Sequence, residues 1–238
     1  MDAIKTILRG WQNTENPPGR PRILLSYAQS LDGSIAARRG VPLMLSSTES
    51  LSLTHGLRAA SDAILVGIGT ILSDDPQLTV RFAQGRNPVP VVLDSHVRIS
   101  PQARVLKNSP AFIAATNPIE SRKAATLESR GVTILSLPAG EDNRVELQAL
   151  LTKLDEMDIK SLMVEGGATV ITSFLTHRLV DYCVLTIAPI FIGGLRAVES
   201  LPEGNGFPLR TPLARLDSPS SAWCGKDLII WGKPAWNA

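Results

Sequence analysis

The chain has 238 residues, of which 44% are hydrophobic and 19% charged, and its formal net charge is +2. These values are typical of a globular protein with a sizeable core, and they exclude an intrinsically disordered chain. The charge is too small, and too evenly spread along the sequence, to indicate a nucleic-acid or anionic-membrane partner.

The cysteines and histidines give no sign of a metal site. Cys183 and Cys224 share no CxxC spacing, and no histidine has a cysteine or carboxylate at ligand spacing. The sequence alone leaves a disulfide between the two cysteines open, although two isolated cysteines are typical of reduced, buried thiols. No apolar run is long enough to span a bilayer, and the first residues lack the apolar core of a signal peptide. We therefore expect a cytoplasmic protein.

The chain begins with a helical pattern over residues 3–12, where apolar side chains recur at helical spacing. The stretch ENPPGRP that follows breaks any helix, so residues 1–20 are predicted to form an N-terminal helical arm and linker. Residues 21–238 contain no internal repeat and no change in composition, which predicts a single domain.

This predicted domain opens with a strand, a turn and a helix. Residues 22–30 have the composition of a strand, and Leu31-Asp32-Gly33-Ser34 predicts a tight turn in which Asp32 bonds backbone amides. The same turn would fit over the nicotinamide end of a cofactor. Ser46–Glu49 offers several helix caps, so a helix should run from there through Arg58.

After this helix, strand and helix patterns alternate along the chain. Strand runs occupy 62–67, 89–93, 111–115, 132–135, 161–165 and 182–188. Helical patterns occupy 119–130, 144–157 and 168–177. Such alternation predicts an α/β fold whose mostly parallel central sheet is covered by helices on both faces. Two final strands, at 213–217 and 222–232 with no helix between them, predict an antiparallel pair at the end of the sheet.

The stretch from Asp62 to Arg81 concentrates residues suited to anion binding. An apolar strand ends on Gly67-Ile68-Gly69-Thr70, where backbone N–H groups can approach a phosphate. Ser73-Asp74-Asp75-Pro76 then predicts a rigid turn, and an extended run closes on Arg81. Arg58 and Arg81 are both candidates for a substrate phosphate, while His55, three residues before Arg58, is interpreted as structural.

A second glycine site follows the strand at 161–165 and reads Glu165-Gly166-Gly167-Ala168-Thr169. Paired glycines before a helix suit a pyrophosphate, although the same glycines would serve a plain strand-to-helix connection. The stretch is not a GxGxxG fingerprint. Glu165 ends a predicted parallel strand, where its carboxylate could bind N–H groups of a heterocycle or, alternatively, cap the following helix. Other strands also end in polar residues, among them Asp94-Ser95 and Thr116-Asn117.

Taken in order, these stretches resemble the reductase domain of riboflavin biosynthesis, found in the bifunctional deaminase-reductase and in stand-alone archaeal and fungal relatives. The matching features cover about Pro21 to Lys233. They are SLDGSIA (30–36), LRAASDAILVGIGTILSDDPQLTVR (57–81), PVPVVLDS (88–95), LMVEGGAT (162–169), LVDYCVLTIAPIFIGG (179–194) and a final strand pair.

The resemblance implies a dihydrofolate-reductase-like fold, NADPH as hydride donor, a homodimer, and a ribosylaminopyrimidine 5′-phosphate whose ribose is reduced to the ribityl chain. It assigns to the cofactor Ala28, Met44, Thr70, Asp74, Ser95, Gly166, Gly167, Ala168 and Thr169, with the helix start continuing to Ser173. It assigns to the substrate Arg58, Leu78, Arg81 and Glu165. Asp32 and Glu165 are the candidates for a catalytic proton donor, with water as the alternative.

One feature of the sequence keeps other functions open. Residues 42–45 read Pro-Leu-Met-Leu and lack the polar side chains that the family usually carries nearby. The alternatives are an NADPH-dependent reductase of the same fold acting on another heterocycle or carbonyl compound, and a non-catalytic NADPH-binding regulator. Within the family, the sequence does not distinguish the aminated from the deaminated pyrimidine.

Overall fold

In the computed structural model, described here for residues 2–41, 43–107, 110–116, 121–140, 142–199 and 214–236, strands and helices alternate through most of the chain. The strands are β1 (Arg22–Ser30), β2 (Ser34–Ala36), β3 (Ala63–Gly67), β4 (Val89–Leu93), β5 (Ala111–Thr116), β6 (Val132–Leu137), β7 (Ser161–Gly166), β8 (Tyr182–Ala188), β9 (Leu195–Arg196), β10 (Arg215–Cys224) and β11 (Asp227–Ala235). The helices are α1 (Asp2–Gln12), α2 (Thr48–Ala59), α3 (Ile68–Asp74), α4 (Ser121–Glu128), α5 (Leu147–Glu156) and α6 (Ala168–Thr176), with a 3₁₀ turn at Arg104–Lys107.

Within the described ranges, nine strands form one sheet in the order β10-β11-β8-β1-β7-β3-β4-β5-β6. The seven strands from β8 to β6 run parallel, and β11 and β10 join antiparallel beyond β8. This confirms the predicted α/β architecture with an antiparallel C-terminal pair. After β3 the chain builds the sheet outward to β6 and then returns to place β7 between β3 and β1. The carboxyl ends of β1, β7 and β3 therefore meet at a change in strand order, where open α/β sheets bind ligands.

Both faces of the sheet are apolar because the central strands are buried on both sides. On one face, Ile23, Leu65 and Val164 pack with residues of α5 and α6. On the other face, one apolar cluster includes residues of α1 and α2, and a second includes residues of α3 and α4. Removing such strands and helices from water supplies most of the favourable free energy of folding.

Helix α1, at the start of the predicted N-terminal arm, packs against the sheet. Ile7 and Trp11 are fully buried in a cluster with Leu24 of β1 and Leu57 of α2. The indole Nε1 of Trp11 also donates a hydrogen bond to Ser61 Oγ at 3.2 Å. The apolar stripe that predicted the helix is thus the surface that attaches it to the rest of the chain.

The C-terminal strands differ from the expected bounds. The apolar run at 222–232 is not one strand: β10 ends at Cys224, and β11 begins at Asp227. Gly225 makes the intervening turn with a φ of 60°, a left-handed conformation that glycine adopts without steric cost. Position 213, predicted to begin the penultimate strand, lies outside the described residues. The predicted extended run after Pro76 is a loop, because residues 75 and 78 have left-handed backbones that no strand admits.

Candidate active site

A cleft of about 1740 Å³ opens at the carboxyl ends of β1, β3, β4 and β7. Most of the predicted site residues line it: Ala28, Met44, Arg58, Thr70, Asp74, Ser95, Glu165, Gly167, Ala168 and Thr169. The remaining predicted residues do not line it: Asp32, Leu78, Arg81 and Gly166. The structure therefore brings together residues from six separate stretches of the sequence at the predicted edge of the sheet.

The two glycine turns lie against each other at the centre of the cleft. Gly167 precedes α6 with a φ of 87°, and a Cβ atom there would lie 3.3 Å from Thr70 Oγ1. A Cβ atom on Gly67, before α3, would lie 2.9 Å from Val170 of α6. Only glycine allows the two turns to approach so closely. Neither helix has a side-chain cap at this end, so the first amides of α6 remain available to an anionic group in the cleft.

Glu165 and Arg58 form an ion pair in the wall of the cleft. Arg58 Nε donates to Glu165 Oε1 and Nη2 donates to Oε2, both at 2.6 Å, and the two side chains are only 11% and 13% exposed. Burial alone would lower the pKa of Arg58, but the charge and hydrogen bonds of Glu165 raise it above its usual value. The partner of Glu165 is thus an arginine 107 residues away and not the amides of the following helix. The carboxylate keeps lone pairs free to accept from a ligand.

A loop from Asp75 to Arg81 lies behind this ion pair. Arg58 Nη1 donates to the Thr79 carbonyl at 3.0 Å, and the Arg81 backbone N–H donates to His55 Nδ1 at 2.9 Å. Leu78 is buried in an apolar cluster and does not line the cleft. Arg81 is exposed overall. Its pKa is lowered first by the partial burial of its guanidinium and then by the neighbouring charges of Arg58 and Arg104. Those neighbouring positive charges make this end of the loop attractive to an anion.

Asp32 is fully occupied by the protein itself. Its Oδ1 accepts from Ser30 Oγ at 2.6 Å and the Ile192 amide at 2.9 Å, and its Oδ2 accepts from Ser34 Oγ at 2.6 Å and the Gly193 amide at 2.8 Å. These bonds, that of Ser30 first, hold the pKa of Asp32 well below its usual value. Asp32 therefore bonds backbone amides as predicted, but they belong to a segment 160 residues away. An ionised carboxylate with four donors fixes that segment and has no proton to give.

Several basic residues of the cleft carried no sequence motif. Arg98 follows β4 and lies 3.8 Å from the buried carboxylate of Asp94. Arg144 also lines the cleft, lies 3.5 Å from Asp142 and is 58% exposed. Ser95 connects the segments that carry the two arginines, because its Oγ accepts from the Val145 amide at 3.3 Å. The sequence indicated Arg98 only by its position three residues after Ser95, a predicted cofactor residue, and it did not indicate Arg144.

The described ranges contain neither a group of His, Cys, Asp and Glu side chains able to hold a metal ion nor a helix long and apolar enough to cross a membrane. Cys183 and Cys224 are free and buried, which answers the question of a disulfide between them. Burial raises the pKa of the Cys183 thiol to about 12.

Comparison with known proteins places this architecture in a family. The RibD C-terminal domain family matches residues 21–230. A protein of Methanothermobacter thermautotrophicus named 2,5-diamino-6-ribosylamino-4(3H)-pyrimidinone 5′-phosphate reductase is 40% identical over 215 residues, which cover 89% of this chain and 97% of that protein. The riboflavin biosynthesis protein RibD of Aquifex aeolicus is 38% identical over 189 residues, covering 76% of this chain and 52% of that protein.

Solved structures agree with these relatives. The Saccharomyces cerevisiae riboflavin biosynthesis reductase Rib7 superposes with a TM-score of 0.76 at 25% identity, covering 99% of this chain and all of that chain. Acinetobacter baumannii RibD gives a TM-score of 0.76 at 25% identity, covering 92% of this chain and 59% of that longer chain. The extent of the family match and the identity to the stand-alone archaeal protein lead to one conclusion: the chain belongs to the RibD C-terminal domain family.

Proposed function

We propose that the chain is an NADPH-dependent reductase that converts the ribosyl group of a ribosylaminopyrimidine 5′-phosphate to the ribityl group in riboflavin biosynthesis. The observation that carries the proposal is one cleft lined both by the uncapped helix start at Gly167 and by the Arg58–Glu165 ion pair. The first feature suits the diphosphate of a dinucleotide, and the second suits the N–H groups of a heterocycle. The stand-alone relative from Methanothermobacter thermautotrophicus is named as such a reductase.

The chain's own residues fit a nicotinamide dinucleotide. The space that a Cβ atom on Gly167 would fill, 3.3 Å from Thr70 Oγ1, leaves room for the diphosphate against the amides of α6. Arg98 and Arg144 line the cleft on the two segments that Ser95 connects, and they supply positive charge suited to an additional phosphate on the adenosine ribose. That charge favours NADPH over NADH. The remaining predicted cofactor residues except Gly166, Met44 among them, line the same cleft.

We assign the substrate to the side of the cleft that holds Glu165. Each oxygen of this carboxylate accepts one hydrogen bond from Arg58 and retains acceptor capacity for a ring or exocyclic N–H group. Arg81, on the loop that Arg58 supports, is the candidate for the 5′-phosphate. Leu78 contributes by packing that loop.

The bound nicotinamide would supply a hydride to C1′ of the ring-opened, imine form of the substrate, and a proton would complete the amine nitrogen. The protein's part is to orient the two ligands and to match their charges. Asp32 is not the proton donor, because four hydrogen bonds keep its carboxylate ionised and it lies outside the cleft. Glu165 is committed to Arg58 as an acceptor. Water is therefore the proposed proton source.

The test is to incubate the purified protein with NADPH and, separately, with the aminated and the deaminated pyrimidine phosphate, while the absorbance of the reduced nicotinamide is followed. We expect oxidation with one of the two substrates, and slower oxidation when NADH replaces NADPH. NADPH binding without oxidation in either mixture would refute the proposal and favour a regulator or another substrate. Light scattering of the same preparation tests the homodimer that the family resemblance implies.

A further inference from the structure

His55 is a buried histidine whose ring holds the backbone of the predicted phosphate-binding residue. It lies on α2 three residues before Arg58 and is 1% exposed. Its Nδ1 accepts the Arg81 N–H at 2.9 Å. The ring also meets Phe82 edge-on, with 4.9 Å between the ring centroids and 88° between the planes. The histidine thus touches the loop at two consecutive residues, although it does not line the cleft.

The loop that His55 contacts needs such support. Asp75 and Leu78 have φ angles of 40° and 54°, left-handed conformations that are unfavourable for side chains of this kind. Three successive residues, 79 to 81, are then held by side chains from elsewhere in the chain. Arg58 binds the Thr79 carbonyl, Asn87 accepts from the Val80 amide at 2.8 Å, and His55 accepts from the Arg81 amide. A strained backbone persists only where its surroundings hold it in place.

We propose that His55 is a positioning residue: its neutral ring fixes the Arg81 backbone so that the Arg81 guanidinium is presented to the substrate phosphate. This inference rests on the proposed function. Within the described part of the chain no carboxylate pairs with this guanidinium, whose Nη1 donates to Thr79 Oγ1 at 3.2 Å. The direction of the Arg81 side chain therefore depends on the conformation of the loop backbone. His55 is the residue that holds the backbone of Arg81 itself, through the bond from its N–H.

The surroundings of His55 keep the ring in the form that this role requires. Only a neutral imidazole with its proton on Nε2 can accept at Nδ1. Burial, followed by the charges of Arg58 and Arg81, lowers the pKa of His55 to about 4, against a smaller opposite effect of Glu165 and of a backbone hydrogen bond with Thr79. At neutral pH the acceptor is therefore present in the whole population of molecules.

The experiment compares His55→Leu with His55→Asn. Leucine cannot accept the Arg81 N–H, whereas the side-chain oxygen of asparagine can take the place of Nδ1. For His55→Leu we expect KM for the pyrimidine phosphate to rise roughly tenfold, the change that loss of one buried hydrogen bond produces, with kcat within about twofold. The Kd for NADPH should stay unchanged. His55→Asn should recover most of the KM. If His55→Leu does not fold, His55→Gln replaces it, because its amide reaches past the position of Nδ1.

The Arg81→Ala variant shows whether the effect passes through Arg81. In that background, adding the His55→Leu change should raise KM no further, since there is no guanidinium left to position. A KM for His55→Leu equal to that of the wild type, or a further rise in the Arg81→Ala background, would overturn the inference while leaving the proposed function intact. A wild-type protein that oxidises NADPH with neither pyrimidine phosphate would refute the proposed function, and this inference with it.

Discussion

The Glu165→Gln substitution tests the ion pair on which the substrate side depends. Glutamine keeps the shape of the side chain, but it removes the charge that balances Arg58 and turns an N–H₂ group toward one arginine donor. Because the two side chains are only 11% and 13% exposed, the arginine is left with little water to replace its partner. Breaking a buried pair on one side typically costs about 3–5 kcal/mol.

The lower end of that range suits a pair at the wall of an open cleft. A loss of about 3 kcal/mol lowers the Tm of a chain of this size by roughly 6–12 °C. Turnover should also fall, because a substrate N–H group would lose a charged acceptor worth about 2 kcal/mol, which is roughly a thirtyfold loss in kcat/KM. NADPH should still bind, since the substitution leaves Gly167 and the first amides of α6 unchanged.

Two measurements check these values: a melting curve with and without NADPH, and steady-state kinetics with the accepted pyrimidine phosphate. The matched control is Glu165→Gln combined with Arg58→Gln, which removes both charges. It should recover part of the Tm, corresponding to a coupling energy of about 2 kcal/mol, without recovering activity. Turnover of the single variant equal to that of the wild type would remove Glu165 from the substrate site, and an unchanged Tm would refute the energetic argument.

Three further predictions concern the cofactor side and the loops beside it. Gly167→Ala should weaken NADPH binding roughly tenfold, as measured by titration. The new Cβ would lie 3.3 Å from Thr70 Oγ1, and the φ of 87° at this position is unfavourable for alanine. Gly69→Ala, whose Cβ would have no neighbouring atom within 4 Å, is the control and should change binding little. Arg98→Ala should reduce the preference for NADPH over NADH in kcat/KM and leave the NADH value unchanged. Asp32→Asn should lower Tm at pH 7. Since folding lowers the pKa of Asp32, its stabilisation is complete above about pH 4 and declines as pH falls further, so the Tm difference between variant and wild type should shrink below that pH.

Much of the fold was predictable because its signals are local. The strand at Arg22–Ser30 and the strand at Val89–Leu93 have the predicted bounds, since strands of a parallel sheet that is covered on both faces are rich in apolar residues. The prediction of one strand over 222–232 was wrong. Its apolar residues belong to two strands, because Gly225 and Lys226 turn the chain between them.

The site was predictable in its glycines and less so in its carboxylates. Gly166 and Gly167 stand next to the helix start that they serve, so a short window of sequence contains the whole feature. The roles of Asp32 and Glu165 depend on partners about 160 and 107 residues away, respectively, and no periodicity encodes such contacts. The two carboxylates were candidates for the proton donor, with water as the alternative. In the structure Asp32 connects two segments, and Glu165 is an acceptor paired with arginine.

Helix α2 carries both Arg58 and His55. Arg58 pairs with Glu165, and His55 holds the end of the loop at Arg81. The start of the helix is fixed from the other end of the chain: Asp227, at the turn between the last two strands, accepts from the Ser47 amide at 2.7 Å and from the Ser50 hydroxyl. Asp227 is fully buried, so these contacts are difficult for water to replace. The C-terminal strand pair, whose described residues do not line the cleft, therefore contributes to the site by setting the position of α2.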